Sequence, residues 1–479
     1  MGIDLGTSGV KVVVSSPDKG VLAQSTRRYE TQSMAPGFVE QNPQDWLNGT
    51  LAAISDIDKR LLKQVKGIGF TGQMHAAIPT DEHFQPMARA MLWFDTRSQD
   101  EAKQLVLQLN KLGDRYRGFK PDPTLPLSKI RWLVNNGQLD WNGVRYVLGA
   151  KDWLRTQFGG TAKTDCSEAS GTQLFDGHTL NWDPILVQIS GISINQLPEI
   201  VSPIYEDGTV YAKLAAQTGL PEGCPLYVGG GDFPTAMGLF EFQPGDVVIN
   251  IGSSGQIAIS EGELRGDINS IYFASVYAGR WLKLIPLLAV GIALTWWQSI
   301  SGKKEMNSEF SEDRADPIRR PMVLFLPQIA GERSWNSNPI HSGGFFGLRA
   351  ENTHEDLSRA VFEGISMSIR EACEVLLGRS KFSQGRVFVT GAREFTGKMA
   401  PEISSVLGIP VILRSFVEPT AEGAAFLALR GAKGDEKGSV PDQWFKEFTV
   451  LPDPKVSLRY QQLYPYYQRA RNLQEALWA

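Results

Sequence analysis

A duplicated α/β architecture is predicted by two observations: a strand–turn–strand hairpin with a Gly-hydroxyl-Ser-Gly turn occurs twice, and strand–helix–strand order surrounds it. The first copy is the N-terminus itself. An apolar strand ends in Asp4, Gly6-Thr7-Ser8-Gly9 turns the chain, and Val10 to Ser15 forms the returning strand. The two glycines let the backbone turn sharply and expose its N–H groups, which can cradle an anion. Thr7 and Ser8 add hydroxyl donors, and Asp4 beside them can hold a metal directly or through water. Together they read as a phosphate-and-Mg²⁺ clip, with an ordinary Gly- and Ser-rich hairpin turn as the plainer alternative. The second copy, Val247 to Ser260 around Gly252-Ser253-Ser254-Gly255, follows close to half a chain length later. Two such hairpins imply a nucleotide phosphate tail held between two related halves. Asn250 stands where the first copy has Asp4, so metal binding is expected from the first half.

In the first half, Ser16-Pro17-Asp18-Lys19-Gly20 is a turn joining the second strand to a third. Gln44 to Val65 reads as one helix, with Trp46, Leu47, Leu51, Ile54 and Leu61 near helical spacing. Gly67 to Phe70 is a buried strand leading into Thr71-Gly72-Gln73-Met74-His75. The pattern is less regular from Met87 to Thr235, and an insertion of that length between core elements is where a substrate site is built. Tyr227-Val228 feeds Gly229-Gly230-Gly231-Asp232, and the break Gln243-Pro244-Gly245 sets the expected domains at 1–243 and 244–479. In the second half, His354 to Leu377 reads as a long amphipathic helix. Arg386 to Thr390 and Pro410 to Leu413 read as strands, Glu422-Gly423-Ala424-Ala425 opens a close-packing helix, and the tail beyond Ser457 forms a capping helix.

Composition narrows the function classes. The chain has 479 residues, too many for one core, so two large domains are expected. A net charge of −4 without a long basic run argues against nucleic acid or an anionic membrane as partner. Cys166, Cys224 and Cys373 have no metal-ligand spacing and suit free thiols in a reducing, cytoplasmic setting. No secretory signal is read at Met1, and the apolar run Leu284 to Trp297 is too short to span a bilayer. Gly391 to Lys398 lacks Walker-loop spacing, and no G-x-G-x-x-G follows a strand.

These pieces resemble the FGGY carbohydrate kinases over nearly the whole chain, most closely the xylulokinase branch. The residues that carry the resemblance are Gly2 to Lys11, Gly72 to His75, Trp93 with Asp95 and Arg97, and Gly229 to Asp232. Gly252 to Gly255, Gly331-Glu332-Arg333, Gly347-Leu348, Gly391-Ala392-Arg393 and Gly423-Ala424-Ala425 continue it. The resemblance implies an actin/hexokinase-like (ribonuclease H-like) fold, two domains around a central cleft, with sugar in the first and ATP mainly on the second. It implies Asp232 as catalytic base, Asp4 as the Mg²⁺-linked aspartate, and Gln73, Met74 and His75 as the sugar loop. Thr7, Ser8, Lys11, Gly252, Ser253 and Ser254 fall on the ATP phosphates, and Gly391 with Ala392 on the turn backing the adenine. Phe233 follows Asp232 in the sugar pocket where xylulokinases carry Asn, and Phe94 also replaces an Asn.

The expected reaction is transfer of the ATP γ-phosphate to a hydroxyl of a pentulose, D-xylulose first, with another ketose, a polyol or an aldonate such as gluconate as alternatives. A non-catalytic ATP-binding regulator of the same fold is the alternative of another class. Sugar and ATP are the expected partners, with oligomeric state left open, a homodimer included. Phosphoryl transfer requires mainly position and charge neutralisation, plus one carboxylate to take the hydroxyl proton. Asp232 after three glycines suits that task; as a bare residue it suits helix capping equally. Arg97 and Asp95 read either as a structural ion pair or as part of the pocket wall, and His75 either as a core-facing loop residue or as a sugar contact.

Overall fold

The strand Gly2–Leu5 is buried along its whole length and is the centre from which the first half is built. It pairs antiparallel with Gly9–Ser16 and parallel with Ile68–Gly72. The computed structural model describes residues 1–116, 119–136, 139–264, 271–302, 322–331, 342–378, 385–435 and 437–478. The chain forms two compact units. The first comprises Met1–Glu241, Phe273–Arg280 and Phe416–Trp444; the second comprises Phe242–Tyr272, Trp281–Ser415 and Phe445–Ala479.

The first unit holds a six-stranded sheet in the order Gly20–Arg28, Gly9–Ser16, Gly2–Leu5, Ile68–Gly72, Pro225–Gly231, Glu206–Thr209. The second unit holds a seven-stranded sheet, six strands of which repeat that order: Trp281–Leu287, Gly255–Glu261, Val247–Ile251, Val387–Gly391, Val411–Ser415, Lys446–Val450. The senses match as well. The central strand of each sheet is antiparallel to its hairpin partner and parallel to the strand on its other side. The fourth and fifth strands are parallel, and the sixth returns antiparallel. Strand order and sense thus establish the duplication that the two hairpins predict.

Each sheet has its own apolar core. Ile3, Leu5, Val12, Phe70, Trp46 and Trp153 lie in that of the first unit. Ile249, Ile257, Phe325, Ile365, Val389 and Ile403 lie in that of the second. The insertion has a further cluster around Leu105, Ile130, Leu174 and Trp182, so it is a packed layer rather than a loop.

One helix of the first unit comes from far down the chain. Pro419–Lys433 lies so close to the sheet that a Cβ on Gly2 would stand 1.9 Å from the Ala421 carbonyl oxygen, and one on Gly69 would stand 2.0 Å from that of Ala424. Glycine on the strands and alanine on the helix permit this backbone-to-backbone packing.

Most expected elements form, with one clear difference. The single helix expected over Gln44 to Val65 is two, Pro43–Ser55 and Lys59–Leu62. The Asp58 carboxylate accepts the Arg60 N–H at 2.8 Å, so it caps a new helix where apolar spacing alone suggested continuation. His354–Leu377 has the bounds read from sequence, because Thr353 and Asp356 form a reciprocal capping box at its start and Gly378 follows its end.

Candidate active site

In the first unit, the ends of three adjacent parallel strands bring the expected residues together. Asp4 lies near the end of Gly2–Leu5, Gln73 to His75 follow Ile68–Gly72, and Asp232 follows Pro225–Gly231. Asp4 is buried, and its Oδ1 has no hydrogen-bond partner among the described residues. Burial pushes its carboxyl up to about 7; Asp232 and Glu418 add to the push and Lys11 opposes it. Burial likewise raises Asp232, to about 6, against the stabilising Phe233 N–H, which donates to its Oδ1 at 2.7 Å. Asp4 thus lies in a setting short of positive charge, with the Asp232 carboxylate adding to the cost of its own burial.

The turn Gly6–Gly9 is held from outside. The Trp93 indole N–H donates to Thr7 Oγ1 at 3.0 Å, and the Gln41 amide donates to the Thr7 carbonyl oxygen at 2.7 Å. The Ser8 side is exposed. Lys11 Nζ pairs with Glu418 Oε2, a residue that no local pattern in the sequence marked.

The residues expected to form the sugar loop differ in their contacts. Gln73 is buried, with Nε2 donating to Gln41 Oε1 at 3.0 Å, while its own Oε1 has no partner among the described residues. Met74 packs its thioether against Gly231, where a Cβ would stand 2.6 Å from the sulfur. His75 adopts φ 71°, and its Nδ1 bonds the Gly171 carbonyl oxygen at 2.7 Å. Burial lowers its imidazole to about 4, with Lys129 adding to the effect, so the ring is neutral and Nδ1 carries the proton. Its ring stacks on Phe273, with centroids 6.0 Å apart. Phe273 also lies 6.2 Å from Phe233. The result is an aromatic wall beside Asp232, and sequence reasoning missed Phe273.

Asp95 and Arg97 form a structural ion pair. Arg97 bonds Asp95 and Glu40, each at 2.6 Å, and stacks on Phe38 at 4.1 Å. Asp95 also accepts the Val39 N–H at 2.6 Å.

In the second unit, the turn Gly252 to Ser254 is joined to two other elements. The N–H groups of Gly291 and Ile292, at the start of helix Gly291–Ser301, donate to the carbonyl oxygens of Gly252 and Ser253 at 3.0 and 2.9 Å. Gly391 pairs with Ile251 in the sheet, and the Ala392 N–H donates to the Ile251 carbonyl oxygen at 2.7 Å. The structure therefore brings Gly252, Ser253, Ser254, Gly391 and Ala392 to one end of one sheet, with both serines exposed. This hairpin is tighter than the first: its last pair is Ile251 with Gly255, whereas the first ends on Leu5 with Val10. Asn250 faces Gln256 and bonds it at 3.2 Å, a neutral pair where the first hairpin sets Asp4 opposite Lys11. Glu332 and Arg333, noted in the sequence, lie outside the described residues.

Comparison with known proteins matches this arrangement along the chain. Residues 1–240 match the model of the FGGY family of carbohydrate kinases, N-terminal domain, and residues 288–432 match the C-terminal domain of the same family. A xylulose kinase of Lactococcus lactis is 27% identical, covering 98% of this chain and 95% of the relative. A gluconokinase of Bacillus subtilis is 26% identical over 99% of this chain and 96% of its own length. The crystal structure of a xyloylose kinase from Brucella ovis superposes with a TM-score of 0.88 at 26% identity, covering 99% of each chain.

Proposed function

The chain belongs to the FGGY family of carbohydrate kinases, and from that premise we propose that it phosphorylates a pentulose with ATP, D-xylulose to D-xylulose 5-phosphate in the first instance. The observation that carries this reading is Asp232, raised to about 6 by burial, at the end of a strand beside the Met74–His75 loop. A carboxylate of that basicity is ionised at neutral pH and still accepts a proton readily. In the proposed reaction the sugar hydroxyl attacks the γ-phosphorus, its proton passes to a carboxylate oxygen of Asp232, and the bond from the γ-phosphorus to the bridging oxygen breaks to release ADP. Thr7, Ser8, Lys11, Gly252, Ser253 and Ser254 are the proposed phosphate contacts. Gly391 and Ala392 are proposed to back the adenine.

Asp4 suits a divalent cation, since a buried carboxylate oxygen there lacks a partner. Asp4 would hold Mg²⁺, directly or through water, and the ion would supply neutralisation of phosphate charge. A neutral ketose is favoured over a sugar acid by the charges around the loop. Lys129 Nζ already donates to the carbonyl oxygens of His75 and Leu92 at 2.8 and 2.6 Å, and Arg97 is bound by Asp95 and Glu40. A substrate carboxylate would meet cations that are already engaged. Cys166, Cys224 and Cys373 are free, which supports a reducing, cytoplasmic setting; no described helix is long and apolar enough to cross a membrane.

The test is Asp232→Asn, assayed by coupled ADP release with the best substrate from a panel of ketoses, polyols and sugar acids. Asn keeps the size and a hydrogen bond but cannot take the proton, so kcat should fall by about 10²–10⁴ with ATP binding little changed. A near-wild-type kcat would remove Asp232 as the base; the capping alternative does not apply, since Gly231 is the N-cap of the helix Asp232–Gly238 and Asp232 is its first residue.

A further inference from the structure

The helix Cys166–Ser170 has five residues and touches, by itself or through the residue after it, three separate parts of the site. Ser167 is fully buried. Its hydroxyl donates to Asp165 Oδ2 and accepts the N–H of Gly231 at 3.0 Å, the residue immediately before Asp232. Ser170 repeats this arrangement: its hydroxyl donates to the Ser167 carbonyl oxygen at 2.9 Å and accepts the N–H of Ala274 at 2.9 Å, the residue immediately after Phe273. Gly171, which ends the helix, accepts from His75 Nδ1 at 2.7 Å.

We infer that this short helix is a positioning element that sets the base and the aromatic wall of the sugar pocket independently, Ser167 fixing Asp232 and Ser170 fixing Phe273. The inference rests on the reading of Asp232 as base and of His75, Phe233 and Phe273 as the sugar side.

The geometry around the helix explains why it can serve as a fixed reference. Asp165 caps it, accepting the Ser167 N–H at 2.8 Å, and Lys151, itself fully buried, stands 3.2 Å from the same carboxylate. Lys151 is held in turn by Asp152 at 2.7 Å, and Asp152 by Arg155 at 2.9 Å. A buried charge network of this kind is costly to disturb, since removing one partner strands the other. Each serine has one proton to donate, and each spends it on the anchored side: Ser167 toward Asp165, Ser170 into the helix backbone. That leaves an oxygen lone pair facing the functional segment, whose backbone N–H is the remaining donor. Packing adds a second constraint. A Cβ on Gly230 would stand 2.8 Å from Ser167 Oγ, and one on Gly171 would stand 2.8 Å from the His75 ring, so the helix fits against both loops without slack.

The two anchors predict opposite kinetic signatures, which a merely structural helix would not give. Ser167→Ala releases the base turn, and a displaced base lowers kcat by about ten- to a hundredfold, with KM for the sugar within about threefold of wild type. Ser170→Ala releases the aromatic wall, so the loss falls mainly on the sugar KM, which rises about three- to tenfold, the worth of one hydrogen bond. KM for ATP is held by other residues and stays level in both. The experiment measures kcat, both KM values and melting temperature for the two variants alongside Asp232→Asn, using the best substrate of the panel. Divergent kcat and KM effects in the two serine variants, together with a collapsed kcat in Asp232→Asn, support the inference. If Asp232→Asn is inactive while both serine variants keep wild-type constants, or lose activity only in proportion to lost folded protein, the positioning role is overturned. If Asp232→Asn turns over normally, the base assignment fails and the inference falls with it. Should Ser167→Ala not fold, Ser170→Ala alone still decides: a sugar KM within about twofold of wild type overturns the proposal.

Discussion

The Lys11 ammonium lies 2.6 Å from the Glu418 carboxylate, a contact within the first unit between residues 407 positions apart. Lys11 is proposed for the ATP phosphates, so Glu418 competes with the nucleotide for it and adds negative charge near Asp4. Glu418→Gln should tighten ATP binding by about 1.4- to fivefold, the range for a partly exposed pair worth about 0.2–1 kcal/mol. Titration calorimetry with ATP would show this, and unchanged or weaker binding would contradict the competition.

Phe233 gives the proposed sugar pocket an apolar surface where a hydrogen-bonding side chain is expected from the resemblance. A missing polar partner costs about 1–3 kcal/mol, or roughly ten- to a hundredfold in selectivity. Phe233→Asn should therefore raise the preference for D-xylulose over other ketoses, measured as ratios of kcat/KM. An unchanged ranking would remove Phe233 as a specificity residue.

Gly391 has φ 117°, and a Cβ there would stand 2.0 Å from the Ile251 carbonyl oxygen. Gly391→Ala cannot be absorbed without moving the strand that carries the second phosphate turn. We expect a loss of about 1–3 kcal/mol in stability and weaker ATP binding. A variant that melts like wild type and binds ATP equally well would show that this backbone yields more easily than its geometry indicates.

The buried His75 imidazole makes stability pH-dependent. Its pKa in the fold, about 4, lies below its ordinary value of 6.5. The group therefore contributes stability that is complete above about 6.5 and is lost progressively as pH falls from there to about 4. Asn tolerates positive φ, so His75→Asn should remove this contribution while keeping the backbone. The gap in melting temperature between wild type and variant should shift against wild type from pH 7.5 to pH 4.5. A gap constant with pH would mean that His75 is free to protonate in the fold.

Much of this molecule is legible in local sequence because its signals are local. The two hairpins show as apolar strands around paired glycines, and His354–Leu377 shows at both ends because Thr353, Asp356 and Gly378 are its own neighbours. Gln44 to Val65 misled because apolar spacing continues through Asp58, whose carboxylate restarts the helix. Glu418 and Phe273 were not visible for another reason. Each reaches the first unit on a separate stretch of chain, and their meaning lies entirely in contacts with Lys11 and His75. The Trp93 indole on Thr7 is a similar case: the residue was noticed, but its partner lies 86 positions away.

The close seat of Pro419–Lys433 on Gly2 and Gly69 has a consequence for synthesis. The helix that covers Gly2 and Gly69 is made more than four hundred residues after the strand that carries Gly2. Contacts that distant in sequence are slow to form, and a nascent chain shorter than about Lys433 carries an uncovered sheet face that a neighbouring chain can occupy. Completion of the first unit is therefore timed by translation of the last segment that belongs to it. Ribosome-bound fragments ending before Pro419 should stay protease-sensitive around Gly2 and Gly69, and those extending past the helix should not.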